Sequence, residues 1–521
     1  MIVHTPSQSL LLRVRDPNKI KALIPKWRDI DYQGHNIAVP HRLDEVRILR
    51  NLGANVPPPI LYYYDWPRPY GITPFEHQKE TAAFCTLYPR CFVLNDPGTA
   101  KTAAVLWAAD YLMKTKQIRK VIIDAPLSTL DLVWKQEIFG YLMHRRAAVL
   151  HGSKARRLEL LARDFDFYII NHDGVGIIAD AVRARNDIDL VIVDESAEYR
   201  NAETDKYEDL TRIIGKRRLW MVTGTPCPKY PTDAWAQARL VNKARVPVYF
   251  SAWKDQTMMR VSTHKWVPRA ESYEMAYQVL QPAIRYKKAD CLDLPPVLYE
   301  KRHTELTKQQ KQAYTEMKNE MVMRGDASTI TAVNAADRIS KLRQILCGVI
   351  KNTGTGLYEE LDHGPRVKVL LECIGQAAAK TIVIVPFKGI IQALKREIDK
   401  EYSCEVINGD VSKTQRDKII NAFKKTPDPH VLLCHPQVMA HGINLTEADM
   451  TIFYAPIYSN NQDQQAIERF NRPGNTVVVK RTIVQIGALP LEWGVYQLVN
   501  QQKLGQENML SLYRNEVLGV K

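Results

Sequence analysis

The sequence predicts an α/β protein: two parallel sheets flanked by helices, with a helical insertion between them and a small α+β module in front. Three observations carry this. From Gly71 onward, short apolar runs alternate with helix-forming stretches, the pattern of a parallel sheet with crossover helices. A second such series begins near Lys368. Each run also ends where polar residues begin, and ligands in such sheets bind beyond the C-terminal strand ends.

Composition bounds the answer. A chain of 521 residues is long for one core, so two or three domains are the prior. Hydrophobic residues make up 45% and charged residues 25%, the balance of a globular protein in water. No stretch approaches the roughly 18 apolar residues that cross a bilayer, and Met1 to Pro6 do not open a secretion signal. The eight cysteines are scattered without a C-x-x-C pair, which argues against a zinc ribbon or redox motif and for reduced thiols. A cytoplasmic location with no membrane partner is the expectation. The net charge of +15 attracts polyanions, DNA among them.

Taken in order, residues 1–70 stand apart as a small module. Leu10 to Val14 and His35 to Val39 read as strands, and His41 to Leu52 as a helix with Leu43, Val46 and Leu49 on one face. Gly53 then stops it and Pro57-Pro58-Pro59 breaks the chain. The first α/β series spans 71–304, with strands at Cys91–Leu94, Val121–Asp124, Phe167–Ile170, Leu190–Val193 and Leu219–Val222. Residues 305–364 form the helical insertion, Leu306–Met323 and Asn334–Leu346 being its helices. Before it, Arg285-Tyr286-Lys287-Lys288 is a basic cluster and Val297–His303 a strand. The second series spans 365–521, with strands at Thr381–Val385, Cys404–Ile407, Val431–Cys434 and Thr451–Tyr454, and Thr476–Val479 at an edge.

The chemistry concentrates at strand ends. Asn95-Asp96-Pro97-Gly98-Thr99-Ala100-Lys101-Thr102 joins a buried strand to a helix rich in Ala and Leu. Strand, tight loop, Lys-Thr, helix is the layout of a phosphate-binding loop. Backbone N–H groups and the helix N-terminus face the anion, Lys101 reaches the β/γ-phosphates, and the Thr102 hydroxyl completes a Mg²⁺ shell. Asn95 and Ala100 stand where the usual pattern has glycine, and a Cβ at Ala100 crowds the phosphate or strains its φ. Asp194-Glu195, after a fully apolar strand, forms the second half of such a site. Asp194 holds Mg²⁺ and Glu195 polarises the attacking water. In the second series Gln465-Ala466-Ile467-Glu468-Arg469-Phe470-Asn471-Arg472 lies on a helix, with Arg469 and Arg472 sharing a face.

Residues 71 to about 500 resemble the superfamily-2 helicases, and among them the Swi/Snf-type DNA translocases, above all the compact versions carried by bacteriophages. Gln78 matches the family's glutamine motif, and Asn95–Thr102 its phosphate loop. Pro126-Leu127-Ser128 with Trp134, Asn171-His172, Asp194–Asn201, Thr223-Gly224-Thr225-Pro226, Asn408-Gly409, Gly442-Ile443-Asn444-Leu445 and Gln465–Arg472 match further motifs in the family's order. The resemblance implies two RecA-like lobes that bind ATP and Mg²⁺. It implies that Gln78, Asn95, Asp96, Gly98, Thr99, Ala100, Lys101, Thr102, Gly442 and Gln465 hold the nucleotide. Arg469 and Arg472 then act on the γ-phosphate. It further implies that Ser128, Thr129, Asn171, His172, Lys388, Asn408, Gly409, His441 and Asn444 grip the DNA backbone without sequence preference. The activity it implies is ATP-driven stepping along DNA that remodels branches, regresses forks or anneals strands. A strand-separating helicase, a remodeller that displaces bound protein, and a DNA-binding scaffold with weakened catalysis are the alternatives. Ala197 departs from the family's histidine, which is expected to loosen the link between the ATP site and the Thr223–Pro226 loop.

Overall fold

Residue alternation sets the architecture of the N-terminal module. Strands β1 (Ile2–His4), β2 (Ser9–Leu12), β3 (Arg28–Tyr32) and β4 (His35–Pro40) form an antiparallel sheet in the order β1-β2-β4-β3. Helix α1 (Pro17–Leu23) links β2 to β3, and α2 (Leu43–Asn51) follows β4. Leu10, Leu12, Ile37 and Val39 pack with Leu43, Val46 and Leu49 of α2 in one apolar cluster. The sequence pattern located β2, β4 and α2. It missed β1, α1 and β3; the residues of β3 are mostly exposed, and pairing with β4 rather than burial makes it a strand. The same cluster continues into the next domain through Tyr64, Trp66 and Trp107, so the module shares a core with its neighbour. Arg47 of α2 reinforces the junction by donating to the carbonyls of Leu87 at 3.1 Å and Thr86 at 2.6 Å. A piece of about 70 residues is marginal by itself, because so small a domain buries a lesser share of its surface than a larger one.

The computed structural model describes residues 1–69, 71–228, 230–262, 265–291, 297–323, 332–351, 358–439, 445, 447–457 and 481–497. They fall into two units, one ending at Cys291 and the other following it.

In the first unit, α3 (Glu76–Leu87) precedes β5 (Arg90–Val93), and α4 (Lys101–Lys114) follows the loop after β5. Strands β6 (Lys120–Ala125), β7 (Ala147–Val149), β8 (Phe167–Asn171), β9 (Ile188–Asp194), β10 (Arg218–Val222) and β11 (Ala283–Ile284) complete a seven-stranded sheet. Its order is β11-β5-β10-β9-β6-β8-β7 and every pairing is parallel. Both faces are covered, which explains the uninterrupted apolar runs. Cys91, Val93, Ile123, Ile169 and Ile192 face one layer, and Phe92, Leu94, Ile122, Ile170 and Val193 face the other.

The second unit begins with β12 (Val297–His303), followed by α5 (Lys308–Met323) and α6 (Ala332–Cys347). Then come β13 (Lys380–Ile384), α7 (Lys388–Ile398), β14 (Cys404–Ile407), β15 (Val431–Cys434), β16 (Ala448–Phe453) and β17 (Arg481–Gly487). The order β12-β17-β16-β13-β15-β14 is again wholly parallel. The sequence-based limit at 304 puts Val297–His303 with the first series, whereas the strand pairs along its length with β17 of the second. The sequence shows the strand but not its partner, because a parallel pairing leaves no local trace. Thr476–Val479 lies outside the described residues. The neighbouring β17 is an inner strand, flanked by β12 and β16. Among the described residues no helix is long and apolar enough to cross a membrane.

Candidate nucleotide and nucleic-acid site

Parallel register brings three loops of the first unit to one edge. Val222 of β10 is level with Val93 of β5 on one side and with Asp194 of β9 on the other. At about 4.8 Å per strand, the ends of β5 and β9 are about 10 Å apart with β10 between them. Asn95–Thr102, Thr223–Pro226 and Asp194-Glu195 therefore leave the sheet side by side, at its C-terminal edge.

The loop after β5 is held from several directions. Lys101 opens α4, and its Nζ donates to the carbonyls of Asn95 at 2.9 Å and Asp96 at 3.1 Å. From α3, Gln78 accepts from the Phe75 N–H through Oε1 and donates through Nε2 to the Ala100 carbonyl at 3.2 Å. His77 Nε2 lies 3.0 Å from the Thr99 carbonyl, which can only accept, so Nε2 carries the proton. Burial lowers the His77 pKa. Asn95 is buried, donating to Thr81 Oγ1 at 2.8 Å and accepting from the Tyr286 N–H at 3.1 Å. Thr99 Oγ1 donates to the Asp96 carbonyl at 2.7 Å. The side chains of Gln78, Asn95 and Thr99 thus shape the loop, and Lys101 folds back onto two of its carbonyls.

The basic cluster at 285–288, a bare run of cations in the sequence, is a brace on this loop. Arg285, fully buried, pairs with Asp96 at 2.8 Å, and the Lys288 N–H donates to the other Asp96 oxygen at 2.9 Å. A Cβ on Gly98, whose φ is +84°, would meet Lys288 Cε and Nζ at 3.3 Å, so this lysine packs directly on the loop. The residues follow β11, which pairs with β5, and only that pairing reveals the contact. Ala100 is in the left-handed region at φ 54°, as the sequence anticipated for a glycine position. That conformation costs a non-glycine residue about 1–2 kcal/mol, offset by the grip of Gln78 on its carbonyl.

Asp194 ends β9 with one carboxylate oxygen 3.0 Å from Trp134 Nε1 and the other accepting from the Glu195 N–H at 3.1 Å. Burial raises its pKa, opposed by the Trp134 hydrogen bond and by the charges of Lys101 and His172. Glu195, at φ 50°, accepts from Thr223 Oγ1 at 3.3 Å. Gln237, fully buried and unremarked in the sequence, joins the same two loops. It lies 3.1 Å from Ser196 Oγ and donates to the Pro226 carbonyl at 2.6 Å. A connection between these loops therefore exists beside Ala197.

Gly224 is required by a close approach. A Cβ there would sit 2.3 Å from Pro97 Cδ of the phosphate loop. Gly224→Ala is expected to cost roughly 1–3 kcal/mol through overpacking and to weaken nucleotide affinity. Denaturant melting with and without ATP checks this, and an unchanged midpoint would mean the two loops part freely.

The residues expected to touch DNA divide. In the first unit Ser128 and Thr129 follow β6, with Thr129 Oγ1 donating to the Pro126 carbonyl at 2.8 Å. Asn171 and His172 are buried, each about 8% exposed. Asn171 Oδ1 accepts from Arg157 at 3.0 Å, and His172 Nδ1 pairs with Asp124 at 2.9 Å. Tyr199 also donates to Asp124. Burial works against His172, but Asp124 outweighs it and holds the imidazole pKa above its ordinary value. Both side chains are held within the protein, Asn171 by Arg157 and His172 by Asp124. In the second unit Lys388 opens α7 and pairs with Asp410 at 2.9 Å, while Asn408 Oδ1 accepts from the Asp410 N–H at 3.0 Å. Lys388, Asn408 and Gly409 are thus brought together. His441, Gly442, Asn444, Gln465, Arg469 and Arg472 lie outside the described residues.

Asp194 and Thr102 suit a magnesium ion, which takes one or two carboxylates and completes its shell with phosphate oxygens and water. Each Asp194 oxygen keeps a lone pair beyond its single hydrogen bond, so the donor chemistry fits. Among the described residues there is no cluster of three or more His, Cys, Asp or Glu, and this kind of site needs none.

A braced phosphate loop beside an acidic pair, on one of two parallel α/β sheets, defines a helicase-type ATPase. Comparison with known families agrees: residues 77–353 match the SNF2-related domain and residues 365–474 the helicase conserved C-terminal domain. The chain belongs to the SNF2-related family. Protein p41 of Acyrthosiphon pisum secondary endosymbiont phage 1 is 23% identical over 71% of this chain and 83% of its own length. An ATP-dependent helicase of Mycoplasma genitalium is 24% identical over 78% of this chain and 39% of its own. The human DNA annealing helicase and endonuclease ZRANB3 is 23% identical over 78% and 38%. The chain thus spans most of the phage relative and about two fifths of the other two.

Proposed function

We propose that this enzyme is a DNA-dependent ATPase that steps along the DNA backbone and remodels branched or reannealing structures. The observation that carries the reading is the convergence of Lys101, Asp194, Glu195 and Thr223 at three adjacent strand ends. In this reading the α4 N-terminus and Lys101 bind the β- and γ-phosphates, exchanging the two loop carbonyls for phosphate oxygens. Glu195, held by Thr223, orients the attacking water and takes its proton. Magnesium, held by Asp194 and Thr102, neutralises charge on the phosphate oxygens. Arg469 and Arg472 supply guanidiniums to the γ-phosphate, which makes turnover depend on both halves of the chain. In this reading the chain divides into an accessory module over 1–70, an ATP-binding lobe over 71–304, a helical segment over 305–364 and a second lobe over 365–521, with the strand at 297–303 added to the second sheet. Ser128, Thr129, Asn171, His172, Lys388, Asn408, Gly409, His441 and Asn444 contact phosphates and carry no base information. The DNA named in the ZRANB3 relative supports this substrate class.

ATP hydrolysis measured side by side with single-stranded, duplex and branched DNA tests the reading; no stimulation by any of them would overturn it. Contacts to phosphates also predict a steep salt response. Affinity for duplex should fall by roughly a thousandfold or more between about 50 and 200 mM salt. A flat response in a titration followed by anisotropy would count against backbone tracking.

A further inference from the structure

The outer face of the N-terminal sheet carries a groove of about 480 Å³ that the nucleotide and backbone sites leave unused. Its floor comes from β2 and β4, where Ser9, Leu11, Ala38 and Pro40 alternate with the core-facing Leu10 and Ile37 and leave a shallow, largely apolar surface. Two aromatic rings stand at its sides. Trp27 is 43% exposed and Tyr32 49% exposed, high values for residues of their size. Lys21 fixes the indole: its Nζ lies 4.3 Å from the Trp27 ring centroid and is anchored 2.7 Å from Asp29.

Charge is sorted across the sheet. Lys26 and Arg28 line the groove and are exposed, with His4 at one end. Asp29, next to Arg28, pairs across from the core-facing Ile37 and is taken up by Lys21. Neither aspartate of β3, nor any other acidic residue, lines the groove. Exposed rings beside cations, over a floor without acids, are complementary to a ligand that is polyanionic and also offers flat faces. Duplex DNA meets the first condition but hides its base faces in the stack. Unpaired nucleotides meet both, through stacking and phosphate contact.

We propose that this groove is a second nucleic-acid site, which takes unpaired nucleotides of a DNA strand. Such a site selects DNA with a single-stranded portion, whereas the motor contacts are to backbone alone. It operates without nucleotide, so it can be tested apart from ATP turnover.

The test uses the full chain without ATP and follows anisotropy of a labelled oligothymidylate of about 20 nucleotides against a blunt duplex of the same length. The double variant Trp27→Ala/Tyr32→Ala should bind oligothymidylate roughly tenfold or more weakly, with duplex affinity changed by less than about twofold. Lys26→Glu, which alters an exposed side chain and leaves the fold intact, should weaken oligothymidylate in the same selective way. Wild-type protein that fails to bind oligothymidylate, or variants that bind it unchanged, would overturn the proposal. Equal losses on both probes would overturn it too, since the effect would not be local. Unchanged oligothymidylate affinity with lost affinity for polyglutamate would make the groove a docking site for acidic protein instead.

Discussion

Lys101→Ala should remove ATP turnover, lowering kcat on the order of 10²–10³-fold or more, while DNA affinity without nucleotide stays near that of the wild type. Lys101 is the first residue of α4, where in the proposed mechanism its charge and the helix N-terminus would act on one anion. Its ammonium donates to two backbone carbonyls of the same loop, and its charge also offsets the burial of Asp194. The fold should survive, and Lys101→Met, which keeps the length of the side chain, should behave alike. Steady-state hydrolysis with saturating DNA, paired with anisotropy binding, separates the two functions. Retained turnover would remove the phosphate loop from the mechanism, and loss of DNA binding would assign Lys101 to the wrong ligand.

Arg472→Ala should cut hydrolysis by roughly 10³–10⁵-fold with little loss of ATP affinity. A guanidinium aimed at the γ-phosphate stabilises charge that develops in the transition state, so it acts on kcat rather than on ground-state binding. Binding of a fluorescent ATP analogue, compared with single-turnover hydrolysis, gives the split. Equal loss of affinity and rate would make Arg472 a binding residue. Full activity would deny the second half of the chain any part in the chemistry.

The phosphate loop was readable from the sequence because its elements are local: a buried strand, a tight loop, Lys-Thr and a helix within one short stretch. Even its irregularity was readable, since Ala100 stands at the glycine position and the structure gives it a left-handed φ of 54°. The Asp194-Glu195 pair was legible in the same way, as an acidic end to an apolar strand. Arg285 was not. It was seen as part of a basic cluster, yet it is fully buried against Asp96, because β11 pairs with β5 and carries residues 285–288 onto the loop. Gln237 gave no signal, since a glutamine on a helix looks solvated until its neighbours are known. For Asn171 and His172 the sequence shows two polar residues at a strand end and not the groups that hold them. Whether a polar side chain at a strand end turns outward or inward depends on the partner that meets it, here Arg157 and Asp124.

Local pattern alone foretold two parallel sheets flanked by helices and most of their strands, though not β7, β11 or β17. Strand periodicity, helix-forming runs and loop chemistry are all short-range properties of the chain. Which strands are neighbours emerges in the fold, and with it the placement of β12 in the second sheet and of the 285–288 brace on the loop after β5. The fold also decided that the N-terminal module shares a core with the first lobe while leaving one face of its sheet open. Pairing and burial join residues far apart in the chain, and a linear pattern holds no record of the distance between them.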